Sequence, residues 1–444
     1  MDGRADGAGV KPVHVDLPPR RDPWVRLICL ARVFLFANFM VVAATVPVLM
    51  PAWDIGGAKA GSVITGFTLA YAFSLFATSW LADHFGAKRV ALLSGWATAA
   101  AALAFAFLAR DYFSALALYS LSGLMQGGTY TPVVMLFAER YAPRRRGNAV
   151  GWLIGSTSVG YAGSLAVSGL GLNLGGWQAA FVITGILPLA GAALLTAVLW
   201  RQPNVIHPRT TGLSLRGVVM SNANARRLIA GYTAHSWELL GMWAWVPAFI
   251  AANLSAGGWA IAGAAGFAAY VGASGHIAGA AASLISGAAS DIYGRRAVLL
   301  LVAAACALLS FSIGWLVAAP AFVVVPLVLA YAFLAIGDSA VLSAALTETV
   351  EPAWLGSVLA VRSLLGFGAG SLAPIALGAI LDASTGGGIC ARGLASPSPA
   401  TGGARAAWFA FPLDLAGIEP RHHAPPPHAQ RMTPCSSAAA ACTA

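Results

Sequence analysis

The sequence predicts an all-α polytopic membrane protein. Hydrophobic residues make up 58% of the chain and charged residues 9%, and the mean hydropathy is +0.75. These values lie outside the range of soluble globular domains. The apolar runs are about 20 residues long, the length that a helix needs to cross a hydrocarbon core of about 30 Å. A transmembrane barrel would instead show short alternating strands.

Eleven apolar runs follow one another, and we number them as spans 1 to 11. They cover residues 27–50, 61–82, 90–109, 113–138, 149–171, 177–200, 228–252, 266–289, 297–318, 319–345 and 357–381. Each is long enough to cross the bilayer as a helix.

Basic residues predict the orientation. If the N-terminus is cytoplasmic, most Lys and Arg residues fall on the inside, and the outside loops carry only Lys59 and Arg110. We therefore expect a cytoplasmic N-terminus in the inner membrane of a bacterium. The formal charge of +10 then reports topology and does not indicate nucleic acid.

The chain divides into two repeated halves. We expect a cytoplasmic N-terminal segment, a first half, a basic linker without acidic residues, a second half and a low-complexity tail, at residues 1–26, 27–200, 201–227, 228–382 and 383–444. "LADHFGAKR" (81–89) matches "ASDIYGRR" (289–296), and "ERYAPRRRGNAVG" (139–151) matches "ETVEPAWLGSVLA" (348–360). The offset is about 208 residues in both cases, which indicates duplication.

The segment "SWLADHFGAKR" resembles motif A of the major facilitator superfamily, and the likeness extends from Arg26 to Asp382. It implies the major facilitator fold of two pseudo-symmetric six-helix halves, and a secondary transporter that works by alternating access. Two departures matter: Gly123 stands where motif B usually has arginine, and Ser164 where the antiporter motif has proline. Antiport is therefore not supported.

The two motif copies predict a cytoplasmic gate. A carboxylate ending one helix, a glycine for a tight turn and a basic pair opening the next helix can form a charge-and-dipole latch. The alternative is that the basic residues only enforce orientation. The gate residues are Asp83, Gly86, Lys88, Arg89, Asp291, Gly294, Arg295, Arg296 and Glu139.

Glu238 lies about 15 Å deep in span 7, near the bilayer midplane. His235, Glu238, Met242 and Trp245 recur at helical spacing, and the resemblance implies that span 7 lines a central cavity, so this stripe is expected to face substrate. A carboxyl group there suits proton coupling. It could also be a permanently neutral acid bonded between helices, or a direct substrate contact.

The remaining cavity candidates come from both halves. Asp338 and Arg362 have similar depths on consecutive helices, which predicts a structural salt bridge or, alternatively, a gate or anion ligand released from that pair. Arg32 is close enough to the membrane edge to snorkel. The candidates of the first half are Arg32, Asn38, Gln126, Thr129, Tyr130 and Thr131.

A twelfth span is doubtful. The run 406–418 is too short and is broken by Pro412 and Asp414, so we interpret it as the start of a helix after which the reading frame diverges. The tail has the composition of a disordered segment, and its histidines fit low complexity better than a metal site. We expect no metal and no cofactor.

The sequence favours a secondary transporter, not an enzyme, because no intramembrane catalytic motif is found. Its expected partners are a small-molecule substrate, protons and the lipid bilayer, and we expect a monomer. Arg32 and Arg362 favour a small anion, and proton symport is the expected coupling. The alternatives are a proton-linked exporter of lipophilic cations and a non-transporting membrane sensor on the same scaffold.

Overall fold

The computed structural model describes residues 18–206, 222–350 and 355–384, and every regular element in these ranges is helical. The linker segment 207–221, the N-terminal residues 1–17 and the tail from 385, including the expected start of a twelfth helix, lie outside the described residues. The helices are Pro23–Leu35 and Val41–Ala52 (span 1), Gly57–Phe85 (span 2), Ala87–Leu108 (span 3), Tyr112–Gln126 and Thr131–Arg140 (span 4), Pro143–Leu199 (spans 5 and 6), Ala223–Ala256 (span 7), Ile261–Tyr293 (span 8), Arg295–Ile313 (span 9), Ala321–Thr349 (span 10), and Leu355–Gly370 and Ala373–Ser384 (span 11).

Eight helices in the described ranges are long and apolar enough to cross a membrane. The number is below eleven because spans 1 and 4 are each broken into shorter helices, and because spans 5 and 6 count as one. The break between spans 5 and 6 falls at Gly175 and Gly176, which have non-helical backbone angles. Gly176 has a φ of 70°, a conformation that glycine adopts without steric cost.

The internal repeat is visible in one backbone conformation. Gly86, between spans 2 and 3, has φ 88° and ψ 143°, and Gly294, between spans 8 and 9, has φ 87° and ψ 144°. A side chain would be strained at both positions. The two copies of the repeated loop therefore fold into the same tight turn, as the sequence match predicts.

The helices up to Leu199 pack mainly on one another, as do those from Ala223, and we call these groups the first and second halves. We call the surface that carries Gly86 and Gly294 the basic face, and the other membrane surface the opposite face. Near the opposite face, spans 5 and 8 touch so closely that a Cβ on Gly169 would lie 2.8 Å from the carbonyl oxygen of Gly266. Toward the basic face, a Cβ on Gly151 would meet no described atom within 4 Å. The contact between spans 5 and 8 is therefore close near the opposite face.

Spans 2 and 11 close the opposite face through backbone contact. A Cβ on Gly61 would overlap the carbonyl oxygen of Pro374, and one on Gly378 would overlap that of Gly57. Only glycine permits such an approach of two helices.

Asp382 adds a polar contact at this closure. Its Oδ1 accepts a hydrogen bond from the Gly57 amide at 2.6 Å, and its Oδ2 accepts one from the Ala58 amide at 2.9 Å. Span 2 has no side-chain cap of its own. Asp382 lies in the last turn of span 11, where the helix dipole disfavours a negative charge. Its favourable electrostatic partner is therefore the helix N-terminus of the other half.

The start of span 1 is tied to the basic-face end of span 4. Asp22 accepts hydrogen bonds from Arg140 Nε at 3.0 Å and from the Tyr141 hydroxyl at 2.5 Å, and it caps span 1 through the Trp24 amide. Burial acts to raise the pKa of Asp22, but these hydrogen bonds outweigh it and hold the pKa below its ordinary value. The ionised carboxylate is thus the form that the fold stabilises.

Replacing Asp382 by alanine should weaken the closure between spans 2 and 11, because the amides of Gly57 and Ala58 lose their hydrogen bonds to this carboxylate. A cap and its dipole interaction contribute about 1 kcal/mol, or about fivefold in a two-state ratio. The distance between spin labels at Lys59→Cys and Ala383→Cys is measured in a background without native cysteines. In the alanine variant, a larger fraction of the molecules should have the longer distance between the labels. The matched control is Asp111→Ala, which removes the cap of span 4 within one half. An equal distance change in the control would contradict the role of Asp382.

Asp22→Asn should lower the free energy of unfolding of the detergent-purified protein by about 1–3 kcal/mol. The reason is that charge-assisted hydrogen bonds to Arg140 and Tyr141 are lost. Since the folded pKa lies below the unfolded value, the carboxylate stabilises the fold above about pH 4, and this contribution disappears as the pH falls through the folded pKa. Melting curves between pH 7 and pH 3 measure it. The variant should lose the acid-dependent part of the transition, whereas Asp54→Asn, in an exposed loop, should keep it.

Candidate functional site

Spans 1 and 4 break at the same depth, and each break is held by side chains of neighbouring spans. Gln126 donates to the carbonyl oxygen of Leu35 at 2.8 Å, and the Tyr119 hydroxyl donates to that of Phe39 at 2.5 Å. Ser164 donates to the carbonyl of Ala37 at 2.6 Å. These bonds replace the helical hydrogen bonds that the break in span 1 removes, as an apolar environment demands. The role of Gln126 that the geometry shows is therefore structural support at the site.

Arg32 points into the protein instead of snorkelling to the membrane edge. It is 3% exposed, and its Nη1 donates to the carbonyl oxygen of Thr129 at 2.6 Å while its Nε donates to the Thr157 hydroxyl at 3.0 Å. The guanidinium also lies 4.2 Å from the ring centre of Phe36 and 5.0 Å from that of Tyr130. Its partners are thus uncharged, and within the described ranges no carboxylate forms an ion pair with it.

Asn38 lies inside the break of span 1 and is 2% exposed. Neither its amide nitrogen nor its amide oxygen has a hydrogen-bond partner among the described residues. Buried amides are normally paired, so this one has donor and acceptor capacity left for another molecule.

His235 of span 7 and Asp338 of span 10 form a buried pair. His235 Nδ1 lies 2.8 Å from Asp338 Oδ1, and its Nε2 lies 2.5 Å from the Ser339 hydroxyl. The Nδ1 contact is close, but its geometry is not that of a hydrogen bond. The acid of span 10 is therefore engaged with span 7.

Glu238 packs toward span 10 as well, and is 2% exposed. Its Oε1 accepts a hydrogen bond from the Tyr331 hydroxyl at 3.1 Å. Trp245, which we expected on the same stripe, instead donates from Nε1 to the carbonyl oxygen of Pro374 in span 11 at 3.0 Å. The predicted stripe is therefore divided between two neighbouring helices.

The predicted salt bridge between Asp338 and Arg362 is not formed. Arg362 Nη1 donates to the Ser343 hydroxyl at 2.7 Å, and its guanidinium lies 4.0 Å from the ring centre of Tyr232. Ser343 is five residues beyond Asp338, which places it about 140° around the helix and about 7.5 Å nearer the basic face. The similar depth of Asp338 and Arg362 in the membrane suggested the pair. Their side chains leave the two helices in different directions and do not meet.

Tyr130 connects the two arginines. This half-buried side chain of the first half has its ring centre 5.0 Å from the Arg32 guanidinium, and Arg362 and Tyr232 of the second half are near enough for their charges to act on its hydroxyl group. The structure therefore brings together Arg32 and Tyr130 from one half with Arg362 and Tyr232 from the other. We call these four residues the arginine–tyrosine chamber.

His276 of span 8 was missed by the sequence analysis. It is 5% exposed, and its ring centre lies 5.4 Å from that of Tyr161 in span 5 and 5.2 Å from that of Trp243 in span 7. It lines a small cavity together with apolar side chains such as Met242 and Leu329. A lone histidine in a glycine-rich and alanine-rich run carries no spacing signal, although any ionisable residue in a span is a reason for attention.

The second copy of the gate motif forms an ionic cluster. Arg295 lies 2.5 Å from Asp291 Oδ1 and 2.8 Å from Glu348 Oε1, and it also contacts Ser290. It therefore links the turn after span 8 to the end of span 10. Arg296 is exposed beside it.

The first copy uses different bonds. Lys88 Nζ donates to the carbonyl oxygens of Trp200 and Gln202, at 3.1 Å and 2.7 Å, at the end of span 6. Asn204 accepts from the Arg89 amide at 3.1 Å. Asp83 is exposed and forms no ion pair with any described residue, whereas Glu139 is half-buried at the end of span 4. The predicted Asp83 latch is thus replaced by a lysine that caps a helix C-terminus.

Within the described ranges, no group of three or more His, Cys, Asp or Glu side chains is arranged to hold a metal ion. The chemistry available at the site is that of two arginines, several phenols, a histidine and two carboxyl groups.

Comparisons with known proteins give relatives that are transporters by name. The chain is 23% identical over 226 residues to a probable sulfoacetate transporter of Cupriavidus necator, covering 50% of this chain and 51% of that protein. It is 28% identical over 197 residues to a 4-hydroxybenzoate transporter of Pseudomonas putida, with 44% of each chain covered. A gallate transporter of Pseudomonas putida is 28% identical over 191 residues, with 40% of each covered. The matched part spans about half, or less, of these curated relatives.

Solved structures share the fold. A bacterial homologue of the human lysosomal transporter Spinster, inward-facing and unoccupied, superposes with a TM-score of 0.69 at 18% identity, covering 88% of this chain and 97% of that one. A D-xylose–proton symporter superposes with a TM-score of 0.71 at 15% identity, covering 87% and 96%. The family model for the Major Facilitator Superfamily matches residues 28–386. With its repeated halves, its repeated turn geometry and this match over most of its length, the chain belongs to the major facilitator superfamily.

Proposed function

We propose that this protein is a secondary transporter that carries a small organic anion together with a proton. The observation that carries the proposal is the pair of arginines in the arginine–tyrosine chamber. Arg32 and Arg362 come from different halves, and in the described structure neither forms an ion pair with a carboxylate. A guanidinium without a counter-charge is costly inside a membrane, and an anionic ligand supplies that charge.

The named relatives support the same substrate class. Sulfoacetate, 4-hydroxybenzoate and gallate all carry a carboxylate at neutral pH, and they are the substrates named for three matched proteins. A lipophilic cation fits less well, because Asp338 is already paired with His235 and Glu238 is bonded to Tyr331. The unpaired charges left in the chamber would repel such a cation.

Glu238 is our proposed proton carrier. Its carboxyl group is buried near the midplane with one phenolic partner, so its charged form is stabilised by little besides Tyr331. The pair of His235 and Asp338 lies on the same side of span 7 and offers a second pair of groups for the proton. Symport would bring in the anion and neutralise Glu238 in one cycle.

The basic face is proposed to be cytoplasmic, in the inner membrane of a bacterium, with the protein acting as a monomer. The distribution of Lys and Arg supports this orientation. With the opposite face closed by spans 2 and 11, the chamber would then open toward the cytoplasm in the present state.

Arg32→Gln and Arg362→Gln should each weaken anion binding about 10- to 100-fold, because a charge-assisted hydrogen bond contributes about 1.5–3 kcal/mol. The measurement is the shift in melting temperature with 4-hydroxybenzoate, gallate or sulfoacetate, followed by titration of the best ligand. Arg110→Gln, in an exposed loop, is the matched control and should bind normally. A selective shift by cations, with none by anions, would overturn the proposed substrate class.

Glu238→Gln should abolish uptake driven by a proton gradient while leaving exchange of internal for external substrate largely intact. Glutamine keeps the size of the side chain and can still accept from Tyr331, but it cannot release a proton. Both activities are measured in proteoliposomes with a radiolabelled anion. Proton-driven uptake at the unaltered rate would reduce Glu238 to a packing residue, and an absence of any flux in the unaltered protein would favour a non-transporting sensor.

A further inference from the structure

The two arginines of the chamber are separate cationic sites. Arg32 is held by spans 4 and 5 through Thr129 and Thr157, whereas Arg362 is held by span 10 through Ser343. Each guanidinium is covered on its face by a tyrosine of its own half, Tyr130 or Tyr232. The chamber therefore presents one cation from each half.

Neither site is neutralised by the acids nearby. Asp338 is the acid that the sequence predicted as the partner of Arg362, and its carboxylate lies against His235. Glu238 lies one turn farther along span 7, where Tyr331 of span 10 binds it. Among the described residues, neither arginine of the chamber therefore has a carboxylate as its counter-charge.

Both guanidiniums also keep hydrogen-bond donors in reserve. A guanidinium has five N–H groups. Arg32 uses its Nε and Nη1, and Arg362 uses its Nη1 while its buried Nε is unpartnered in the described structure. Free N–H groups on a planar fork match the oxygen atoms of a carboxylate or sulfonate.

We propose that the substrate is a dianion with two separated anionic groups, one bound by Arg32 and the other by Arg362. This inference rests on the proposed transport function and narrows its substrate class to dicarboxylates and sulfocarboxylates. Such a ligand joins the two halves through charge. Its binding then depends on how far apart the halves place the arginines, so it changes the balance between the conformations. Among the named relatives, the sulfoacetate transporter has a substrate with two anionic groups, and the 4-hydroxybenzoate transporter has one with a single carboxylate.

The test compares diacids with their half-esters, which keep the shape and remove one charge. The probes are succinate, glutarate, adipate and terephthalate, each with its monomethyl ester, titrated into the full-length protein in detergent at pH 7.5. At least one diacid should bind ten or more times more tightly than its half-ester. In Arg32→Gln and in Arg362→Gln, that ratio should fall to about one, and Arg110→Gln should leave it unchanged.

The possible outcomes distinguish a failure of the dianion proposal from a failure of the proposed anion transport. A half-ester that binds as tightly as its diacid shows that one anionic group is enough, which overturns the dianion and leaves anion transport standing. A diacid preference that survives both arginine substitutions also overturns it, because the second charge is then read elsewhere. If no diacid or half-ester binds while a cation does, both the dianion and the proposed function fail.

Discussion

Backbone polar groups inside a bilayer have no water to bind, and the chamber of this protein depends on that constraint. Spans 1 and 4 break at matching depths, so their freed carbonyl groups need partners from within the protein. Gln126, Tyr119 and Ser164 supply them for span 1, and Arg32 supplies one for span 4. The same hydrogen bonds that make the breaks tolerable also fix the direction of Arg32. Arg32 is thereby held in the first half, because without it the carbonyl oxygen of Thr129 would lose this hydrogen bond.

The second half reaches a related arrangement by other means. Span 10 is continuous, and its acid Asp338 is taken up by His235 of span 7. Arg362 then rests on Tyr232 and a serine hydroxyl instead of a carboxylate. The two halves thus repeat a backbone turn, at Gly86 and Gly294, without repeating their side-chain chemistry. The two unlike centres still present one arginine each.

The sequence predicted the helices and the repeat well, because apolar length and the glycine-containing turn are local signals. It could not locate the breaks in spans 1 and 4, since the apolar runs continue through them. It also misplaced Arg362, because depth along a helix says nothing about which way a side chain faces. His276 lacked any spacing pattern, and its importance comes only from Tyr161 and Trp243, which are distant in sequence. The direction of a side chain and its contact partner depend on how the spans pack together. The sequence of one span does not contain that information.

Asp382 ties the closure of the opposite face to the ends of two helices. When spans 2 and 11 part, its carboxylate loses the amides of Gly57 and Ala58 and is left at the negative end of its own helix. Span 2 loses its cap in the same step. Opening therefore disfavours both helices, whether or not the chamber is filled. At about 1 kcal/mol, this contact would shift the ratio of closed to open protein about fivefold, with the chamber empty or filled.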